Sequence, residues 1–415
     1  MKVLWLCNKA PTLINQLRGK ESDYFGGWLD DMLQQLSNKK DYEVGVLIPE
    51  ENQQEGKVEN ISFWTYQEYN CYDRFCQVID SFQPSVIHIW GTEMWHTLEM
   101  VKSCEDKGCV KSCVISIQGL VSLYGQYHFI EGLPHHVVIR RTLRDLLKHT
   151  SINVKRKEFI KSGTRESEAL KHVDHVIGRT VWDRAAVLQF SPSATYHFCN
   201  ESLREPFYHT EWELSKINRH SIFVSQCGYP IKGFHYLLEA MPEILKVYPD
   251  THIYTTGQDL NHLTTKQKVM IPSYQKYLIS LMKKYGLQDK ISFLGMLSAE
   301  EMCRCYQNAH VFISPSTIEN SPNSVGEAML VGCPIVASDV GGTKSMLVDG
   351  KEGYLYQSSA PYMLAYYVKR IFEDDALATS LAQNARVHAM STHDRNINFN
   401  TLLQIYDEVM KQSLT

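Results

Sequence analysis

Several common patterns are missing from the 415 residues, and each absence closes off a class of protein. None of the eleven cysteines forms a Cys-x-x-Cys, and the closest pairs, Cys109 with Cys113 and Cys303 with Cys305, fit no zinc framework. Most of them sit in apolar surroundings, as buried free thiols do. No uncharged run of about 18 apolar residues is present, so no segment is expected to span a bilayer. No Gly-x-Gly-x-x-Gly follows an apolar strand, which argues against a nicotinamide dehydrogenase. Positive charge is not in surplus either: 42 Lys and Arg stand against 46 Asp and Glu, and a net charge of −4 gives no general attraction to nucleic acid. The opening run from Met1 to Cys7 is too short for a cleavable leader, so the expected location is cytoplasmic.

What is present describes an ordinary globular chain, 44% hydrophobic and 21% charged. Single cores seldom grow beyond roughly 250 to 300 residues, so this length predicts two domains. Apolar runs at Lys2–Leu6, Tyr42–Ile48, Val86–Trp90, Val114–Ile117 and His175–Gly178 read as strands of a first parallel sheet. Ser221–Gln226, His252–Gly257, Ile291–Gly295, Val311–Ile313 and Pro334–Ala337 read as strands of a second. Ser191–Arg219 lacks periodicity and is expected to hold the crossing between domains. His88 lies within a strand and reads as a satisfied core histidine.

The most informative stretch is Val311–Leu355. A buried strand leads into a loop carrying Glu319. Ser321 is placed as N-cap and Pro322 as the first helical residue, with a helix over Asn323–Val331 stopped by Gly332. A further strand then ends in Val340-Gly341-Gly342. This is one unit of a doubly wound sheet, in which ligands bind outside the carboxyl ends of the strands. Free amides near Asn323 and Ser324 suit a diphosphate, and the carboxylates of Glu319 and Glu327 suit the paired hydroxyls of a sugar or ribose. Lys232, on the loop Cys227–Gly233 before another helix, suits the same anion. Tyr24-Phe25-Gly26-Gly27 follows the first strand, and there Gly26 and Gly27 let backbone approach a bound group closely. Gln118 and Arg179 stand at strand ends, where Arg179 could grip a phosphate or form a structural salt bridge.

Glu319 and Glu327 with seven residues between them, then Ala-Met, Gly-Cys-Pro-Ile-Val-Ala and Val-Gly-Gly, resemble the family 4 retaining glycosyltransferases. The likeness is coarse over the whole chain and specific in its second half. It implies an α/β protein of GT-B fold, with two Rossmann-like doubly wound domains facing across a cleft. The expected ranges are 1–205 for the acceptor side, 206–395 for the nucleotide-sugar side, and 396–415 for a last helix returning to the first domain. It further implies sugar transfer from a nucleoside diphosphate donor, uridine before guanosine, to a hydroxyl of a surface glycan or lipid-linked acceptor. Glu319 and Lys232 would be catalytic, with Gly26, Gly27, Gln118, Arg179, Asn323, Ser324 and Glu327 binding substrate. The chain departs from the family in having Gln118 where many members have histidine. It also has no arginine before Lys232, which leaves Arg179 as a substitute. No Asp-x-Asp occurs, so neither a metal nor another cofactor is expected. The alternatives are a nucleotide-sugar epimerase of the same fold and a non-catalytic nucleotide-sugar-binding protein.

From Val137 to His172 the chain is strongly basic, with Leu143, Leu146 and Leu147 in one apolar stripe. It reads either as a solvated helix or as a peripheral membrane contact over 137–172, at the inner face of the membrane.

Overall fold

The computed structural model describes residues 1–20 and 29–413. They form two compact units, one of Met1–Ser122, Lys161–Arg204 and His393–Thr415, the other of Leu123–Ile160 and Glu205–Thr392. The segment Leu123–Ile160 goes with the second unit although it lies inside the expected 1–205 range. The basic stretch is accordingly divided between the units after Ile160.

The first unit holds β1 (Lys2–Cys7), β2 (Glu43–Pro49), β3 (Glu55–Val58), β4 (Ile61–Tyr66), β5 (Val86–Trp90), β6 (Cys113–Ser116), β7 (His175–Gly178) and β8 (Thr195–Phe198). They lie in the order β3-β4-β2-β1-β5-β6-β7-β8. All pairings are parallel except β3 with β4. Parallel central strands are covered on both faces, which is why β1 and β5 read as near-continuous apolar runs. The helix Arg395–Ser413 belongs to this unit, and its Phe399, Leu402, Ile405 and Val409 join the core against Val3, Trp5 and Val46. Tyr406 of that helix accepts from Trp5 Nε1 at 2.9 Å and meets His88 Nδ1 at 2.6 Å, while His88 Nε2 meets Ser116 Oγ at 2.7 Å. Burial holds the His88 pKa down to about 3, so it is a neutral core histidine with both nitrogens used.

The passage from the first unit to the second falls between Arg204 and Glu205, inside the expected stretch Ser191–Arg219, which also contains β8, paired with β7, and the helix Pro206–His209. Thr-Tyr-His-Phe is not an apolar run, and Phe198 points to solvent on an edge strand, so the signal that marks the equally short β7 and β9 is missing here.

The second unit holds β9 (Ser221–Val224), β10 (His252–Thr255), β11 (Ile291–Phe293), β12 (Val311–Ser314), β13 (Ile335–Asp339) and β14 (Tyr354–Gln357). Its sheet runs β11-β10-β9-β12-β13-β14 and is parallel throughout. The loops leaving β9, β12 and β13 therefore emerge side by side at one carboxyl edge. Among the described residues no helix is long and apolar enough to cross a membrane.

Candidate functional site

Those three adjacent loops build the site. After β9, a turn at Pro230–Lys232 ends on Gly233, whose φ is +63°, before the helix Phe234–Leu245. A Cβ at Gly233 would overlap the Pro315 carbonyl, so both conformation and space demand glycine here. After β12, Thr317 N–H donates to Ile231 O at 2.8 Å and ties this loop to the first. Ser338, on β13, donates from Oγ to Ser316 O at 2.6 Å. Beyond it the Val340-Gly341-Gly342 turn clasps Glu319: Gly342 N–H donates to Glu319 O at 2.9 Å. Gly341, at φ +52°, packs so close to that carbonyl that any side chain would collide with it.

Held in this way, the Glu319 carboxylate is almost fully buried. Its Oε1 accepts from Lys232 Nζ at 2.7 Å and from Ser316 Oγ at 2.7 Å. Burial works against the Lys232 ammonium, but the adjacent Glu319 carboxylate, with Tyr229, more than offsets it. The Lys232 pKa is raised above the ordinary lysine value.

The helix Asn323–Val331 has the expected span and ends on Gly332 in the left-handed region. Its N-cap is Pro322 and not Ser321. Pro322 is extended, at φ −68° and ψ 115°, and its carbonyl takes the N–H groups of Val325 and Gly326; the Ser321 hydroxyl lies instead 3.5 Å from Met346 Sδ. The backbone N–H groups of Asn323 and Ser324 have no acceptor among the described residues. They are the positive end of the helix, four and five residues from Glu319. Glu327, one turn in, is buried, and its Oε2 accepts from Tyr306 Oη at 3.3 Å. Tyr306 Oη also lies 3.1 Å from Ser324 O.

Glu319, Lys232, Asn323, Ser324 and Glu327 thus come together in the second unit. Gln118 and Arg179 lie in the first unit and are joined through a residue not anticipated from sequence, Glu201. Arg179 Nη1 donates to Glu201 Oε2 at 2.6 Å and Gln118 Nε2 to Glu201 Oε1 at 2.6 Å, with Arg179 Nη2 on Ile117 O at 3.3 Å. Arg179 is therefore a buried salt-bridge partner, its guanidinium engaged by Glu201. Gly26 and Gly27 lie outside the described residues. Sequence reasoning missed Tyr306 and Glu201, whose partners are distant in sequence, and Ser316, three residues before Glu319 in a loop that carries no periodic pattern. Among the described residues no group of three or more His, Cys, Asp or Glu is placed to hold a metal ion.

Comparison with known proteins agrees with this architecture. The chain superposes over 99% of its length on 99% of sucrose-phosphate synthase from Thermosynechococcus elongatus, with a TM-score of 0.69 and 15% identity. It covers 98% of itself and 100% of Anabaena HepE solved in complex with UDP-glucose, with a TM-score of 0.68 and 16% identity. The two parallel-sheet units define a GT-B fold. Residues 208–388, less than half of the chain, match the model of the glycosyl transferases group 1. An uncharacterized glycosyltransferase of Methanocaldococcus jannaschii is 27% identical over 165 residues, 40% of this chain and 38% of that protein. A D-inositol 3-phosphate glycosyltransferase of Corynebacterium urealyticum is 28% identical over 165 residues, 38% of this chain and 36% of that protein. The chain spans well under half the length of these curated relatives.

Proposed function

We propose that the chain is a retaining glycosyltransferase that moves a sugar from a nucleoside diphosphate donor, UDP before GDP, to a hydroxyl of a surface glycan or lipid-linked acceptor. The observation that carries this reading is the Lys232–Glu319 pair at 2.7 Å, beside the helix-start amides of Asn323 and Ser324. The barrier to such transfer is departure of a diphosphate from a sugar carbon that becomes cationic. An ammonium and helix-end N–H groups stabilise the leaving anion, and they are already oriented before reaction.

In this reading the bond from the anomeric carbon to the diphosphate oxygen breaks, and the diphosphate keeps the electron pair. The acceptor oxygen bonds to the same face of that carbon and passes its proton to the departing oxygen, so no separate base is assigned. Glu319 binds sugar hydroxyls and stabilises the cationic ring, and Glu327 binds the ribose diol. No metal is called for, because Lys232 and the amides carry the countercharge. Sucrose-phosphate synthase and HepE share the fold, and the HepE structure with UDP-glucose supports a uridine donor as the first to try.

Thermal-shift screening against nucleotide sugars, then turnover of the hit with and without acceptor, tests this. A sugar transferred to an acceptor supports the reading. Epimerised donor without an acceptor assigns the epimerase instead, and binding with no turnover assigns a binding protein.

A further inference from the structure

The segment Leu123–Ile160 carries a surface that the site does not use. The helix Leu143–Lys148 begins with a capping box, Thr142 paired with Asp145. The buried Asp145 carboxylate also accepts from Ser273 Oγ, at the start of the helix Ser273–Tyr285, and Ser273 Oγ lies 3.2 Å from Arg140 O. The polar side of this short helix is thereby pinned to the second unit. Its opposite side is apolar and open: Leu143 is 50% exposed, Leu146 53% and Leu147 64%, with Ile139 beside them at 54%. Positions 143, 146 and 147 share one helical face. A pinned helix with its leucines outward and its carboxylate inward inverts the usual amphipathic arrangement.

The charge around this face selects what can cover it. Arg140, Arg141, Arg144 and Lys148 border the leucines, and none has a carboxylate partner among the described residues; Arg144 donates to Thr150 Oγ1 at 3.1 Å. Asp145 is the only acid from His135 to Thr150, and it faces inward. A second copy of the chain, docked about a two-fold axis, would set these cations against themselves. An anionic bilayer takes both halves of the pattern, since leucines enter the acyl boundary while long cationic side chains reach the headgroups.

We infer that Ile139, Leu143, Leu146 and Leu147, ringed by Arg140, Arg141, Arg144 and Lys148, form a docking surface for an anionic lipid bilayer. The surface is confined to residues 139–148 and does not extend along the whole basic stretch to His172. Apolar insertion and charge act together, because either alone gives only marginal membrane binding.

The test is sedimentation of the full chain with vesicles of phosphatidylcholine and phosphatidylglycerol, and with phosphatidylcholine alone. Binding is expected to the anionic vesicles and to weaken as salt rises. Leu143→Gln/Leu147→Gln and Arg141→Gln/Lys148→Gln should each lower it about 10-fold or more. All four side chains are exposed, so these variants should melt like the parent. Val387→Gln, an exposed apolar residue on the helix Asp375–Thr392, should leave binding unchanged. No binding to anionic vesicles, equal loss on Val387→Gln, or unaltered binding by both double variants would overturn the inference. Self-association abolished by Leu143→Gln/Leu147→Gln would overturn it in favour of a second copy. Donor and turnover play no part in this readout, so its failure is separate from failure of the glycosyl-transfer reading.

Discussion

Lys232 and Glu319, 87 positions apart in sequence, meet at 2.7 Å between Nζ and Oε1. The contact exists because β9 and β12 are sheet neighbours and their loops are bonded through Thr317 and Ile231. In the proposed reading, the pair sets the cation that would face a leaving diphosphate against the carboxylate that would face the sugar.

If Lys232 grips the diphosphate, Lys232→Ala should raise the Kd for the nucleoside diphosphate about 10- to 100-fold, the worth of one to two charge-assisted hydrogen bonds. Calorimetry measures this directly. Parental affinity would remove Lys232 from the anion site.

Glu319 is assigned to the sugar and not to the nucleotide, so Glu319→Ala should separate two quantities. Turnover should fall roughly 100- to 1,000-fold, while affinity for the nucleoside diphosphate stays near that of the parent. Equal losses in both would contradict the assignment.

The pair also sets a pH dependence. With Glu319 present the Lys232 pKa is raised, so the ammonium persists past the ordinary lysine value of about 10.4 and diphosphate affinity shows no lysine titration below it. Glu319→Gln removes the charge that raises this pKa and leaves burial, which lowers it. Affinity in that variant should therefore decline at a lower pH than in the parent. Superimposable pH profiles would show that the two groups are uncoupled.

Gly341 packs directly against the backbone carbonyl of Glu319. Gly341→Ala should cut turnover at least about 10-fold, because the added carbon pushes on the Glu319 carbonyl in a backbone region that already costs alanine roughly 1 kcal/mol. Gly286→Ala supplies the comparison, since Gly286 has φ +65° and open space around it. It should lower the melting temperature by a similar strain and leave turnover unchanged. Equal turnover in the two variants would refute the clasp.

In the first unit, Glu166 accepts from Thr92 Oγ1 at 2.8 Å, Val121 N at 3.1 Å, Ser122 N at 3.0 Å and Ser122 Oγ at 2.5 Å. Burial nonetheless pushes its pKa up to about 7. A carboxyl with a folded pKa above its unfolded value adds stability that is complete below the unfolded pKa and is lost as pH rises through the folded one. Stability of the parent should thus decline from about pH 4.3 to about pH 7 by up to ~4 kcal/mol from this group. Glu166→Gln should remove that part of the slope in denaturant titrations at several pH values. An unchanged slope would show that Glu166 titrates normally.

Much of the second unit was legible because its signals are local. The helix Asn323–Val331 and its stop at Gly332 follow from short-range periodicity and from glycine's access to positive φ. The N-cap was misplaced by one residue because Ser321 and Pro322 are both acceptable there, and packing chose between them. Arg179 could be read as a phosphate ligand or as half of a salt bridge, and nothing near it in sequence points to Glu201, 22 positions away. The strand β8 was invisible because Thr-Tyr-His-Phe lacks the apolar run that marks β7 and β9, strands of the same length.

The sequence by itself determined the central apolar strands of both sheets and the helix Asn323–Val331, where the chain must turn on glycine, and which residue types could meet a sugar diphosphate. These depend on period, composition and backbone sterics within a few residues. Only the tertiary structure decided that Lys232 bonds to Glu319, that Arg179 is engaged by Glu201, and that three leucines face outward behind a buried Asp145. Those outcomes depend on strand order and on which distant partner satisfies each buried charge, and such pairings leave no trace in local sequence.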